Sequence, residues 1–321
     1  PGSEIVIGLG LVREALLGKR GKDLPADLRS ALQEISSPFT KERVKELSGV
    51  DPDLYGKLIT RLRQAKKPLI LGTGTGATGA NSYHVNTAAN LLNALLDPGL
   101  ALLDFRRRHF VETAAKRSEG IALFEKLGKE PEGVLLLNNV NPVFSLPSSD
   151  STARVFKQDS LFAVSFSNFM DESTQLANLI FPVRLPLETW DEYSGTADIV
   201  SMVQPTMAGL TGSPHLGDLF LRLAHGEKSL TKNYQEYLSM KLSSSGFIKD
   251  RIDWVNMLRE GGLFQNPSSG TPAPRWIAGD ELRSALGRVS LPKTAELTFV
   301  AAPSLRFFDG RGANRPWLCE V

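Results

Sequence analysis

From Lys67 onward the sequence alternates short apolar runs with helical stretches, and no other feature limits its fold so tightly. The runs are 68–71, 100–103, 133–137, 161–165 and 179–183, each followed by loop residues and then by helical spacing. Buried strands alternating with helices argue for a parallel sheet covered on both faces. The expected fold is α/β: a doubly wound, mostly parallel, Rossmann-like sheet. Residues 1–65 read as helices. Thr40 can cap one ending near Leu47, and Asp51-Pro52 sets an N-cap with proline in the first helical position. Leu54, Leu58, Ile59 and Leu62 then recur at helical spacing. Beyond the alternating region, Ser213-Pro214 predicts a helix start and Gly226 its stop. Thr231 starts a second helix with Tyr234, Tyr237, Leu238 and Leu242, and Gly261-Gly262 closes a third with Ile252, Val255 and Leu258. Residues 266–274 form a Pro/Ser/Gly linker before a short helix near 280–286 and a strand near 297–301. The expected domains are a helical segment of a neighbouring α/β domain (1–65), the Rossmann-like domain (66–265) and the start of a C-terminal β domain (275–321).

Composition excludes several functions. A length of 321 residues suits about two domains. Thirty-seven basic and 35 acidic side chains leave a net charge of +2, too balanced for a nucleic-acid partner. The single cysteine, Cys319, permits neither an internal disulfide nor a cysteine-built zinc or iron–sulfur site. The longest apolar run, Ile5 to Val12, is too short to span a bilayer. Pro1-Gly2-Ser3-Glu4 leads straight into an apolar helical pattern, and the last residues stop in another apolar stretch. The chain therefore reads as a piece of a longer protein.

The strongest local motif is the glycine loop 72–79. Gly74, Gly76 and Gly79 complete G-x-G-x-x-G between the run 68–71 and a helix expected over about 81–95. Glycines let the backbone approach a diphosphate, and the helix N-terminus offers amide donors. Asp104, at the end of the next run, could accept from a ribose hydroxyl. On its own this reads as NAD(P) binding or as a plain glycine turn. No G-K-[ST] follows, so it is not a Walker A loop.

Other residues point to no chemistry. His84, His109, His215 and His225 lie too far apart in sequence to form a local ligand pair. No G-x-S-x-G elbow occurs. Glu188, Asp191 and Glu192 read as an exposed loop, and Cys319 as a small buried side chain. Trp190 and the pair Phe307-Phe308 read either as core or as a face toward a partner subunit. Asn138, Asn139 and Asn141 follow a buried strand and fall at the crevice edge where open α/β sheets bind ligands.

A family resemblance enters at 134–204. Leu135–Pro142 with Ser145 and Pro147 resembles the "G-x-N-P…s-x-P" stretch of molybdopterin oxidoreductases of the dimethyl-sulfoxide-reductase type. Asp171-Glu172-Ser173-Thr174 with 177–182 resembles their "T-E-T-A-x-x-A-D-x-V-L-P", and Glu188 fits the acid that follows. The opening Pro1-Gly2-Ser3-Glu4 is similar to their "P-G-T-D". Residues 187–191 with Gln204-Pro205 resemble most the molybdopterin-enzyme-like large subunits of membrane quinone complexes, the quinone reductase complex and alternative complex III. Residues 307–318 are similar to the start of their C-terminal β-barrel domain.

The resemblance implies a large-subunit segment of a quinone-linked respiratory complex at the periplasmic face of the cytoplasmic membrane. It implies iron–sulfur, cytochrome c and integral membrane quinone-binding partners. It implies a molybdopterin guanine dinucleotide, or a site that has lost it, with no cofactor held by this chain alone. Gly72, Thr73, Gly74, Gly76, Asn139, Asn141, Pro142, Ser167, Asp171, Glu172, Ser173 and Thr174 would line that site. A genuine molybdenum reductase of the polysulfide or thiosulfate type is the alternative within the family. In either case the metal ligand and the iron–sulfur motif would precede residue 1.

The departures count against the cofactor. Asn139 stands for the family's glycine, Asp171 for threonine, Thr174 for alanine and Asn178 for aspartate. Gly195-Thr196 lacks the following asparagine and arginine-rich turn. A group with two phosphates calls for cationic or amide donors, not added acids.

Overall fold

The computed structural model describes residues 2–18, 20–73, 81–228, 231–266, 275–287, 289–290, 303–310, 312 and 315–320. Elements run α1 (Glu4–Leu17), α2 (Ala26–Ser36), α3 (Lys41–Ser48), α4 (Pro52–Gln64) and α5 (Ser82–Leu96). Next come α6 (Arg117–Lys129), β1 (Gly133–Leu137), α7 (Pro142–Ser145), α8 (Ser149–Val155), β2 (Leu161–Ser165) and β3 (Leu179–Ile180). A hairpin of β4 (Asp191–Thr196) and β5 (Ile199–Val203) precedes α9 (Leu216–His225), α10 (Tyr234–Ser244), α11 (Arg251–Glu260) and β6 (Gly262–Phe264). The last helices are α12 (Gly279–Leu286) and α13 (Pro316–Glu320). Two compact units result, Pro1–Asp104 with Pro272–Val321, and Phe105–Thr271. This division cuts across the expected borders at 65/66 and 265/275.

In the first unit α1 is the hub. Its Ile5, Val6, Leu9 and Val12 are buried because α2, α3, α4 and α5 all pack on it. Gly10 permits that crowding: a Cβ there would meet the Tyr55 hydroxyl at 2.5 Å and Val44 at 2.6 Å. The expected caps form. Thr40 Oγ1 accepts from the Arg43 amide at 3.3 Å, and Asp51 Oδ1 from the Leu54 amide at 2.8 Å. Helix α12 docks on α2, where Asp27 Oδ2 accepts from the Gly279 amide at 3.0 Å. Its Leu282 and Leu286 join the core of α1, so the residues after the linker share a core with the first 65.

Two expected strands are absent here. Segment 68–71 is not a strand, because a helix side chain occupies the place of a ladder neighbour. Asn93 Oδ1 accepts from the Ile70 amide at 2.7 Å, and its Nδ2 donates to the Ile70 carbonyl at 2.8 Å. Segment 100–103 is a turn instead, since Asp97 Oδ2 accepts from the Ala101 amide at 2.8 Å and Leu100 takes a φ of +47°. A local side-chain bond of that kind competes with extended backbone. The strand expected near 297–301 lies outside the described residues.

The second unit carries the α/β fold. Strands β1, β2 and β3 form a parallel sheet with Leu136 opposite Val164 and Val164 opposite Leu179. Successive residues face opposite sides. Leu137 and Ala163 pack with Val143, Phe156 and Phe124 on one face. Val164 packs with Phe166, Val183, Leu216 and Leu219 of the α9 layer on the other. The run 179–183 keeps only Leu179–Ile180 as strand.

A second sheet, antiparallel β4–β5–β6, buries Val200 and Met202 against α10 and α11. The sequence reading passed over it. Its signal is weak: Gly195 to Asp198 makes the hairpin turn, with Asp198 at φ +60°. Helix α9 starts two residues later than expected, with His215 rather than Ser213 as cap. Helix α10 starts at Tyr234 behind Asn233, not at Thr231, because the Asn233 side chain accepts from the Glu236 amide at 2.9 Å.

Candidate functional site

The expected site residues are divided between the units. Gly72 and Thr73 lie in the first. The Thr73 amide donates to Asn86 Oδ1 at 2.9 Å, and a Cβ on Gly72 would collide with that same oxygen. Gly74 and Gly76, with the rest of 74–80, lie outside the described residues. Asn139, Asn141, Pro142, Ser167 and Asp171–Thr174 all belong to the second unit. They sit on the loops after β1 and β2, at the C-terminal edge of the parallel sheet.

Asn141 and Ser173 tie those two loops together. Asn141 caps α7, its Oδ1 accepting from the Phe144 amide at 3.3 Å. The same oxygen accepts from Ser173 Oγ at 2.7 Å. Ser173 Oγ in turn accepts from the Val143 amide at 3.1 Å. Asn141 Nδ2 donates to Glu172 Oε2 at 2.6 Å. That bond holds the Glu172 carboxyl below its ordinary range. Pro142 opens α7 and is buried. Thr174, also buried, shares a hydroxyl–hydroxyl bond of 2.8 Å with Ser165. The Thr174 amide donates to Asp171 Oδ1 at 2.8 Å. Ser167 Oγ donates to the Phe169 carbonyl at 2.9 Å and accepts from the Phe169 amide at 3.1 Å. Asn139 is exposed at φ +52°, a left-handed conformation that asparagine tolerates.

This arrangement does not suit a diphosphate. The polar atoms of Asn141, Ser173 and Thr174 are engaged within the chain. The remaining exposed groups of the two loops include the anionic Glu172. Helix α7 is a single turn whose first two amides are already taken, that of Val143 by Ser173 Oγ and that of Phe144 by Asn141 Oδ1. Asn178, in place of the family's aspartate, does structural work: its Oδ1 accepts from the Ala163 amide at 2.7 Å, and its own amide donates to the Ala163 carbonyl at 2.9 Å. Glu188, read from sequence as part of an exposed loop, is buried. Its two oxygens accept from the Leu210 amide at 2.8 Å and the Leu185 amide at 3.0 Å. Those bonds hold its carboxyl below the ordinary value of 4.5.

A cleft of about 600 Å³ opens at the same edge, and among the described residues of the expected site only Asn139 lines it. Its walls come from the ends of β1 and β3, the start of β4, and helices α9 and α10. His215 holds it together. Nδ1 accepts from the Gly217 amide at 3.0 Å, and Nε2 lies against the Trp190 backbone, 3.0 Å from its carbonyl oxygen and 3.1 Å from its amide nitrogen. The His215 ring lies 5.2 Å from that of Tyr234, which stacks on Tyr237 at 5.5 Å. Burial first, then the charge of Asp191 and the Tyr237 and Glu192 side chains, push the Tyr234 phenol up to about 12. Sequence reasoning missed this cleft because its residues are scattered over 138–237 with no local motif.

Among the described residues no group of three or more His, Cys, Asp or Glu side chains could hold a metal ion, and no helix is long and apolar enough to cross a membrane.

No protein-family model matches the chain. It is 28% identical over 276 residues to the menaquinone reductase molybdopterin-binding-like subunit of Nitratidesulfovibrio vulgaris. That match covers 78% of this chain and 38% of the relative, so the chain spans well under half of that protein's length. Its fold is similar to that of acetylene hydratase from Pelobacter acetylenicus, with a TM-score of 0.63 over 92% of this chain and 50% of the hydratase, at 14% identity. The first match bears out the resemblance to molybdopterin-oxidoreductase large subunits on the branch of the quinone reductase complexes, and the second shows a similar fold.

Proposed function

We propose that this chain is a segment of a molybdopterin-binding-like large subunit that serves a quinone-linked respiratory complex as a scaffold. The observation that carries the reading is the closed set of bonds joining Asn141, Glu172 and Ser173. Where a bound diphosphate would call for free donors, the polar atoms of Asn141 and Ser173 bond within the chain, beside Asp171, an acid where the family pattern has threonine. The similarity to a menaquinone reductase subunit supports the choice of complex. In this reading the partners are an iron–sulfur subunit, a cytochrome c subunit and an integral membrane quinone-binding subunit. The assembly lies at the periplasmic face of the cytoplasmic membrane, reached through those partners. The fold is kept for the surfaces it offers, and this chain by itself turns over no substrate.

The test is the metal, pterin and subunit content of the full-length protein purified from its native host. Haem and iron–sulfur subunits that co-purify, with molybdenum, tungsten and pterin far below one per chain, are the expected result. Stoichiometric metal and pterin would instead make it a working molybdenum oxidoreductase. A protein that purifies without redox partners would overturn the scaffold role.

A further inference from the structure

The parallel sheet of the second unit is well covered on one face only. Leu135, Leu137 and Ala163 face the layer of α6, α7 and α8. The register fixes what stands on the opposite face. Val134 pairs with Phe162, and Leu136 with Val164, which pairs in turn with Leu179. Residues two apart on a strand share a face. Of these five side chains only Val164 is buried, packed with Phe166, Val183 and the α9 residues Leu216 and Leu219. Val134 is 65% exposed, Leu136 49%, Phe162 48% and Leu179 44%. Neighbouring strands lie about 4.8 Å apart, so these four form one contiguous apolar patch, which a water-facing surface seldom keeps. Leu223, one turn beyond Leu219 on α9, is exposed as well. Among the described residues β1 has a strand on one side only.

Parallel sheets occur almost only with both faces covered. Their strands are joined by crossovers, usually helices laid on a face. The unit's own long helices are already engaged: α6 on the far face, α9 over Val164, and α10 and α11 against β5. The chain spans 38% of the menaquinone reductase subunit and 50% of the hydratase, so proteins of this fold carry at least as much polypeptide again. We propose that an amphipathic helix from the remainder of the same polypeptide lies across Val134, Leu136, Phe162 and Leu179, beside α9. Its buried side carries Leu, Ile or Val at helical spacing. The proposal deepens the scaffold reading and rests on it in taking the chain as a segment of a longer subunit.

The test is photocrosslinking in the purified full-length protein with Phe162→p-benzoylphenylalanine, mapped by mass spectrometry. The expected product is a crosslink within one polypeptide, to a helix outside residues 1–321. A crosslink to another subunit, to a second copy or to residues 1–321, or no crosslink, would each overturn the assignment. Should the bulky probe prevent folding, Val134→p-benzoylphenylalanine is read in its place. A second measurement compares melting of the full-length variants Leu136→Thr and Leu123→Thr. Leu136 and Leu123, the latter on α6, are equally exposed at 49%. Threonine suits a strand better than a helix, so propensity alone would put the larger loss at Leu123. The covering helix reverses that order, with Leu136→Thr melting roughly 5 °C below the wild type. Equal losses, or a larger one at Leu123, would contradict it. Neither readout involves metal, pterin or a redox partner. A metal-loaded protein that crosslinks as expected would sink the scaffold reading and leave the helix assigned. A cofactor-free complex that gives no crosslink would sink the helix alone.

Discussion

Ser173 shows how a single hydroxyl sets the geometry of a whole loop pair. It is fully buried, donates to Asn141 and accepts from the Val143 amide. Ser173→Ala leaves that amide and one Asn141 lone pair without their partner. We expect a loss of about 1–3 kcal/mol in urea denaturation; an unchanged midpoint would mean the brace is dispensable. Glu188 and Glu172 give acid sensitivity a defined sign. Both carboxyls are held below their ordinary value when folded. Their stabilising contribution is present above the unfolded value of 4.5 and lost as pH falls through the folded one. The wild type should thus lose stability between pH 7 and about pH 3 more steeply than Glu188→Gln. Parallel losses in a urea series at the two pH values would refute this. Asn141 and Asp171–Thr174 stood out in sequence because of a family pattern. That pattern could not say that their polar atoms would be spent on one another, since hydrogen-bond partners 30 residues apart are set by the fold.

Helix ends were the most legible elements. Asp51 and Thr40 cap α4 and α3 through bonds that close within three residues, so local sequence suffices to specify them. Asp51→Ala should cost about 1 kcal/mol, read as a lowered melting temperature, whereas Asp53→Ala, beside it, should cost less. If the two variants melt alike, the cap contributes nothing. Strands were less legible. Segment 68–71 has the composition of a strand, yet the Asn93 carboxamide of α5 satisfies Ile70 instead. A strand is defined by its neighbour, and an apolar run does not name its neighbour. The hairpin β4–β5 was missed for the converse reason: the residues of β4, Asp191 to Thr196, are mostly polar, and the inward packing rests on Val200 and Met202 of β5.

At the scale of the whole chain, each unit has its own core. Ile5, Leu9, Leu92 and Leu282 serve the first, while Leu137 and Ala163, and separately Leu238 and Met257, serve the second. Leu9→Ala should cost about 2–5 kcal/mol and lower the melting of the helical unit. Leu137→Ala should act on the α/β unit instead. Calorimetry of both variants checks this, and one common transition shifted equally by each would contradict separate cores. The α/β class, the helix caps and the resemblance to molybdopterin-oxidoreductase large subunits were legible in the amino-acid sequence, because periodicity, capping and short motifs are local in the chain. Tertiary structure alone decided three things: that α12 shares a core with α1, that the expected site closes on itself, and that Asp191, Tyr234 and Tyr237 meet in one cleft. Those outcomes depend on which distant surfaces bury one another, and burial is a property of the folded arrangement, not of any stretch of sequence.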